Sequence, residues 1–509
     1  MTALPYPSID AAPHPAAWPR HSKAVLGLTS ALGLMLLLEG GLLGANTTLL
    51  LATIGLLVYL TSELRALRRE VPPGTAWLLS PVVVASAYTL ALTYGAANVL
   101  FWLPGYRDTL PSSRALDFQW LAQATLYAFL GSAVMWIGFH SALGQALGRA
   151  LWRSRLLARL IRPTYEVRWG AIWMCVAVSL VARLIQFSLG MYGVLGDAEL
   201  EGLAYRQYLN YADSAGLVAL IGAAAAAFSG TPSVKRNWVL LLILIHEVIW
   251  GVLAADKTNT LIPIVLTGMV YYYMKQLVPW KYIFVSIFVL IMSYLVLMPL
   301  RSMDNIDVRD VKAVASAAAD LASAQVLAST ADDGSTSNLG FAILQRLNRT
   351  RIASYAMKYR YNYPDDPVPS TFMKTILMTP AYAVVPRAVW PDKPRRQEVG
   401  LWFYSTVLSG KSTTTLAGPT FIGYLNFAGG LAAVLGGFLI VGMIQRGVHE
   451  RFLAAAGGGG LILLIGMLQV LGDLPTQFSE IIALPLRAVP LLIVVQLIIF
   501  QSPRRTILK

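Results

Sequence analysis

Apolar stretches long enough to cross a lipid bilayer recur along the whole chain, and they limit its fold more than any other feature. A helix needs about 20 mostly apolar residues to cross the hydrocarbon core. Hydrophobic residues make up 56% of the 509 residues and charged residues only 13%, which is too little charge for a water-soluble chain of this length. The apolar runs are 24–43, 47–62, 76–101, 120–142, 169–189, 214–230, 238–254, 260–274, 282–300, 419–443, 459–471 and 484–500. The sequence therefore predicts an all-α polytopic membrane protein with about twelve transmembrane helices.

The charges in the short connecting loops alternate in sign along the chain. Basic residues follow the even-numbered runs, as at Arg65 and Arg68, whereas the other loops carry acids such as Asp197. Because Lys and Arg gather in cytoplasmic loops, we expect both termini, 1–23 and 502–509, in the cytoplasm. The net charge of +14 is then explained by orientation and by contact with anionic lipid heads, and we expect no nucleic acid as a partner.

One segment, 301–415, is too long to be a simple connection, and loops of this length are usually functional or disordered. It separates the spans of 24–300 from those of 416–501, and the loop charges place it outside the membrane. Its first part, 301–337, is rich in Ala, Ser and Asp and predicts a spacer. The second part, 338–415, is basic, which opposes the usual orientation bias. We expect it to contain short helices and to be the functional part.

Arginines and aromatic residues are interleaved in this second part, and the combination suits an anionic ligand that carries sugar rings. Guanidinium groups bind phosphate oxygens in bidentate fashion, and aromatic faces stack against apolar sugar faces. Arg346 and Arg349 fall near one face of a helix, whereas Arg351 points elsewhere. The alternative is an amphipathic helix that binds anionic lipid heads on the outer leaflet.

A proline-rich stretch, VPRAVWPDKP at 385–394, places Arg387 and Lys393 on a stiff loop. The next apolar run opens with GYLNFAG at 423–429. Together they resemble the signature of the Wzy-type O-antigen and exopolysaccharide polymerases, in which a P-R-x-x-W-P-x-K-P loop precedes a helix that starts G-x-x-x-N-F-G. Ala428 departs from that pattern. The stretch AADKT, which includes Lys257, resembles the family's small-residue turn with a basic residue but lacks its glycine.

The resemblance implies an enzyme at the outer face of the bacterial inner membrane. Its substrate would be an undecaprenyl-diphosphate-linked oligosaccharide, and the growing glycan would pass from its lipid diphosphate to the sugar end of an incoming repeat unit. Membrane lipid, a chain-length regulator and a flippase are the partners that this implies. No cofactor is expected.

Fixed cationic groups can stabilise the charge that develops on a leaving diphosphate, and an acid can remove the proton of the acceptor hydroxyl. We predict catalytic roles for Arg387, Lys393, Arg349, Asp392 and Glu480. Predicted substrate-binding residues are Arg346, Arg351, Trp390, Lys257, Arg206, Arg183, Arg487 and Tyr424. For Arg183 and Arg487, which lie inside apolar runs, an ion pair between helices is the alternative. The sequence does not choose the acid, since Asp213, Asp256 and Asp473 also lie on the predicted outer side.

Other functions would require other features in the sequence. The five histidines are scattered and Cys175 is the single cysteine, so we predict no metal site. A polyprenyl-phosphate-sugar glycosyltransferase usually has an acidic pair in its first external loop, and an O-antigen ligase commonly has an external histidine; neither is found at the predicted positions. A flippase or transporter would favour an internal repeat, and none is evident. A structural membrane subunit remains an alternative.

Overall fold

The structure is a computed structural model, and it describes residues 21–71, 75–104, 106, 117–153, 167–189, 192, 204–229, 232–254, 256–293, 344–345, 347–385, 390, 397–408, 417–450, 460–474 and 477–500. Helices account for almost all of these residues. No β-strand occurs among them, apart from an isolated antiparallel bridge between Val167 and Phe500. The predicted all-α class is therefore confirmed.

The helices are α1 (His21–Glu39), α2 (Ala45–Glu70), α3 (Pro81–Trp102), α4 (Phe118–His140), α5 (Ala142–Arg153), α6 (Trp169–Ser188), α7 (Ala204–Asp213), α8 (Ala215–Phe228), α9 (Val234–Leu253), α10 (Lys257–Lys275), α11 (Trp280–Met292), α12 (Arg349–Asn362), α13 (Pro367–Val384), α14 (Gln397–Trp402), α15 (Thr420–Val448), α16 (Leu461–Leu471) and α17 (Phe478–Ile499). Every apolar run overlaps one of them. The apolar pattern thus predicted where twelve of these seventeen helices lie, all except α5, α7, α12, α13 and α14.

Eight helices in the described part of the chain are long and apolar enough to cross a membrane. They are α2, α3, α4, α6, α9, α15, α17 and the Tyr208–Phe228 stretch that joins α7 to α8. The apolar helices α11 and α16 are shorter, with 13 and 11 residues. The chain thus has the helices of a multi-pass membrane protein, while the count of twelve and the orientation stay predictions.

Large apolar side chains on several of these helices face outward. Leu242 of α9 is 57% exposed, and Phe284 and Phe288 of α11 are 65% and 60% exposed. Contiguous exposed apolar surface is uncommon on water-soluble monomers, but it is what the hydrocarbon core of a bilayer requires. These faces are therefore consistent with contact to lipid.

The centre of the structure is the contact between α4 and α15, which pack along much of their length. Glycines bring the two backbones together. A Cβ atom at Gly442 would clash with the carbonyl oxygen of Met135, and one at Gly138 would clash with the carbonyl oxygen of Leu439. Small residues allow this close approach between membrane helices, so these two positions accept only glycine without a shift of the backbone.

Helices α12, α13 and α14 occupy the described part of the segment that we predicted to be functional. Side-chain caps fix where α12 and α13 begin: Asn348 accepts from the backbone N–H of Arg351, and Asp366 accepts from that of Val368, both at 2.9 Å. Helix α12 packs against α4 and α15, and α13 packs against α15 and α17. The spacer predicted at 301–337 lies outside the described residues.

The glycine contact gives a stability prediction. We expect Gly442→Ala to destabilise the protein by about 1–3 kcal/mol, the usual cost of overpacking, and to lower the midpoint of thermal unfolding in detergent, followed by circular dichroism. The control is Gly436→Ala on the same helix, where an added methyl group meets no atom within 4 Å. An alanine there gains roughly 0.5–1 kcal/mol of helix propensity. Equal midpoints for the two variants would contradict the close approach.

Candidate functional site

Helix α12 carries four cations, and each has a partner on another part of the structure. The start of the helix is fixed by Asn348, which is fully buried and donates to the carbonyl of Ala97 at 2.9 Å and to the side chain of Asn98 at 3.2 Å. A buried amide costs free energy unless it is hydrogen-bonded, so these bonds hold the first turn of α12 at one position on α3. The cations of α12 are Arg349, Arg351, Lys358 and Arg360.

Arg349 binds the turn that follows α16. Its guanidinium donates to the Asp473 carboxylate at 2.6 Å, to the Asp473 carbonyl at 2.8 Å and to the Leu474 carbonyl at 3.2 Å. Burial alone would lower the pKa of Arg349, but the Asp473 carboxylate outweighs it and leaves the pKa above its usual value. Arg349 is therefore a fixed cation that links α12 to the loop between α16 and α17.

Arg351 is held by neutral groups in the described part of the chain. It donates to the hydroxyl of Tyr106 at 2.8 Å, and its guanidinium lies 5.9 Å from the centre of the Tyr355 ring. The side-chain oxygen of Gln345 accepts two further bonds, at 2.6 and 3.0 Å, when its amide is oriented toward Arg351. None of these partners carries negative charge, so the described contacts of Arg351 do not balance its positive charge.

The other two cations lie on the last turns of α12. Lys358 pairs with Asp117 at 3.2 Å, and both side chains are more than a third exposed, so the pair contributes little to stability. Arg360 donates to the carbonyl of Phe427 at 2.8 Å. Phe427 lies two positions before the break in α15, which begins at Gly429 and in which Gly430 has a φ of +65°. Arg360 thus satisfies an acceptor in the turn before the break.

An aromatic cluster joins α12 to α13, α14 and α15. Tyr424 is fully buried and stacks on Phe372 with ring centres 4.9 Å apart, and Trp402 lies 5.9 Å from Phe372 and 5.7 Å from Tyr359. The hydroxyl of Tyr359 donates to Asp366. Burial, with the Asp366 carboxylate second, raises the pKa of Tyr359 to about 12. Tyr424, predicted to bind substrate, thus lies in the packed interior of the described structure.

The proline-rich loop begins where α13 ends, and two predicted residues lie there. Arg487 of α17 donates to the carbonyls of Tyr382 and Ala383 at 2.7 and 3.2 Å, a favourable place for a cation because the last carbonyls of a helix lack helical partners. The ring of Trp390 lies 5.3 Å from that of Tyr382. Arg487 therefore ties the start of the loop to α17.

Several predicted site residues are described only in part or not at all. Arg387, Lys393, Asp392 and Arg346 lie outside the described residues. Arg206 lies in α7 and Lys257 begins α10, but their side chains are likewise outside the described part. Glu480 lies in the first turn of α17, where it is 7% exposed.

A second polar centre surrounds Arg183 on α6. Arg183 binds both carboxylate oxygens of Glu247, at 2.9 and 2.7 Å, and its Nε donates to Asp213. The ion pair between helices that the sequence left open is therefore present. Beside it lies a cavity of about 100 Å³. Its lining includes Tyr192, Ser214 and Asn259 as well as these three residues.

Two residues that hold Arg351 and the start of α12 in place were not predicted from the sequence. Tyr106 and Asn348 orient Arg351 and the start of α12, and neither was singled out. Asn348 carried a usable signal, because Asn is a preferred residue immediately before a helix. Tyr106 carried none, since its contact with Arg351 spans 245 residues of sequence.

The two carboxylates that pair with α12 allow a matched comparison. We expect Asp473→Asn to destabilise the protein by about 1–3 kcal/mol, because Arg349 is only 20% exposed and would lose its charged partner. Asp117→Asn should cost at most about 1 kcal/mol, since its pair is solvated. Thermal unfolding in detergent measures both, and a larger loss for Asp117→Asn would contradict the assigned role of Arg349.

Among the described residues, no group of three or more His, Cys, Asp or Glu is placed to hold a metal ion. No curated protein and no solved structure matches the chain. The match to a family covers residues 199–472, which include α7 to α16 and therefore Arg351, Asp213 and Glu247. The chain belongs to the family described as Domain of unknown function (DUF8712).

Proposed function

We propose that this protein is a polysaccharide polymerase that joins polyprenyl-diphosphate-linked oligosaccharide repeat units. The proposal includes twelve spans, cytoplasmic termini and a location of α12 to α14 at the outer face of the bacterial inner membrane. The observation that carries it is Arg351, a partly exposed cation that neutral groups hold in place beside Tyr355. Such a cation can accept a diphosphate without first breaking an ion pair.

In the proposed reaction, the acceptor hydroxyl oxygen forms a bond to the anomeric carbon of the growing glycan. The bond from that carbon to the diphosphate oxygen breaks, and the electron pair leaves with the lipid diphosphate. A carboxylate takes the hydroxyl proton. The developing charge on the diphosphate is stabilised by Arg351 and, from the proline-rich loop, by Arg387 and Lys393. Groups that are already oriented stabilise such charge without reorganising.

The framework of the site supports this arrangement. Helix α12, which carries Arg351, and helix α13, which leads into the proline-rich loop, both pack on α15. Arg487 fixes the end of α13, so the loop starts from a defined position. Arg349 is already bound to Asp473, and we assign it to positioning of α12 rather than to direct contact with the diphosphate.

A second candidate is transport of a lipid-linked oligosaccharide across the membrane. The break in α15 at Gly429 and Gly430 favours it, because interrupted helices often form the binding sites of transporters. The two candidates differ in where substrate accumulates when the protein fails. A failed polymerase leaves single repeat units outside, whereas a failed transporter leaves them inside.

The test is complementation of a deletion strain. We expect Arg351→Ala to lower polymerisation by about 10²–10³-fold, the usual effect of removing one group that stabilises developing negative charge. Single repeat units should still reach the outer face. Arg351→Lys keeps the charge but loses the planar fork and should retain part of the activity. The control is Lys374→Ala, which removes an exposed cation of α13 and should leave chain length unchanged.

Polymer length is read from gels of the extracted glycan, and the location of single repeat units from their accessibility in intact cells. Each variant must be present in the membrane in the wild-type amount. Full-length polymer from Arg351→Ala would overturn the role of Arg351. Repeat units confined to the inside of the cell would favour transport instead.

A further inference from the structure

In the described part of the chain, the centre around Arg183 has two carboxylates and one guanidinium group. The guanidinium of Arg183 is matched by Glu247, which binds it through both carboxylate oxygens. Asp213 binds the same guanidinium through one oxygen. The side chains of Arg183 and Glu247 are 6% and 1% exposed, so these two form a closed neutral pair. Among the described side chains, the Asp213 carboxylate is then left without a cation of its own; those of Arg206 and Lys257 lie outside the described part.

The hydrogen bonds of His246 at this centre match those of a neutral imidazole. The indole N–H of Trp250, which can only donate, lies 3.0 Å from Nε2 of His246. Nε2 is therefore an acceptor, and the ring proton lies on Nδ1, which faces the Glu247 carboxylate at 3.1 Å.

The other titratable groups at the centre do not balance the charge either. Tyr192 donates its hydroxyl to the carbonyl of Trp250 at 3.1 Å, and burial raises the pKa of this phenol above its usual value. Asp256 adds a further carboxylate, which caps α10 through the N–H of Thr258 at 2.9 Å. The side chain of Lys257 lies outside the described part. Among the described residues that line the cavity, Arg183 is the cation.

Of the two acids that bind Arg183, Asp213 is the one that is more accessible to water. Its side chain is 29% exposed, against 1% for Glu247, and it lines the cavity of about 100 Å³. A cavity of that size holds about three water molecules at roughly 30 Å³ each. The backbone of Asp213 is held separately, since Ser179 donates to its carbonyl at 2.8 Å. The carboxylate can therefore change its charge while α7 stays in place.

We propose that Asp213 is a proton-binding site, loaded and emptied through water in the adjoining cavity. On loading, a hydronium ion in the cavity loses a proton, and an O–H bond forms on the Asp213 oxygen that does not bind Arg183. The side chains of Arg183, Glu247 and Asp213 then carry no net charge. On emptying, these three side chains carry one net negative charge, which partial burial disfavours. This inference is independent of the proposed function.

Infrared spectroscopy of the purified full-length protein in detergent tests it directly. A protonated carboxylic acid has a carbonyl stretching band that disappears when the acid ionises. We expect the wild type to lose such a band as pH is raised, and Asp213→Asn to lack that component. Asp117→Asn, the same change at an acid paired with Lys358, should keep it. A spectrum of Asp213→Asn that still contains the complete wild-type change would overturn the proposal.

Glu247→Gln is a second test. If Asp213 had only a structural role, this change would not shift the pH at which the Asp213 band disappears. It removes one carboxylate, so Arg183 is then matched by Asp213 alone. We expect Asp213 to ionise at lower pH in this variant, and the band to disappear earlier as pH rises. An unchanged transition would contradict the charge count. If Asp213→Asn does not fold, Asp213→Glu should shift the band and keep its dependence on pH, while an unaltered band would count against the proposal.

Discussion

The close contact of α4 with α15 is the constraint on which the rest of the described structure depends. Gly138 and Gly442 allow the two backbones to touch, and the surface that results carries α12. Because α12 packs on both helices, a change in their separation would move every cation on α12 together. Asn348 then sets the position of α12 along that surface through its bonds to α3. The positions of the α12 cations are thus set by helix packing more than by electrostatic interactions.

The partner of each arginine, more than its position in the sequence, decides what the residue can do. Arg349 and Arg183 are bound to carboxylates, and such pairs are costly to separate inside a protein. Arg487 satisfies carbonyls at the end of α13. Arg351 has neutral partners, partial exposure and an aromatic ring 5.9 Å from its guanidinium. Arg360 also has a neutral partner, but it is used to satisfy a carbonyl of α15. Arginines of the same chain therefore have different roles, which depend on their partners.

Hydrophobic pattern predicted the helices well, because a span of apolar residues in lipid must satisfy its own backbone bonds and can do so as a helix. It could not predict the partners of the charges. Arg183 meets Glu247 across 64 residues, and Arg349 meets Asp473 across 124, and such contacts depend on how helices pack. The burial of Tyr424 could not be predicted for the same reason. A motif shows where this tyrosine lies in the sequence but not where its ring points in the fold. The Gly429–Gly430 pair, by contrast, is a local signal for the break in α15.

The described surroundings of Arg351 and those of Arg183 differ in the sign of their net charge. The two places therefore attract ligands of opposite charge. Around Arg351 the described contacts are neutral, so the centre keeps a net positive charge and attracts an anion. Around Arg183 two carboxylates share one guanidinium, so an anion such as a diphosphate would be repelled and a proton would be bound. Arg183 was predicted to bind substrate because an arginine inside an apolar run is costly. Its pairing with Glu247 meets that cost, so the residue needs no anionic ligand to explain its place in the helix.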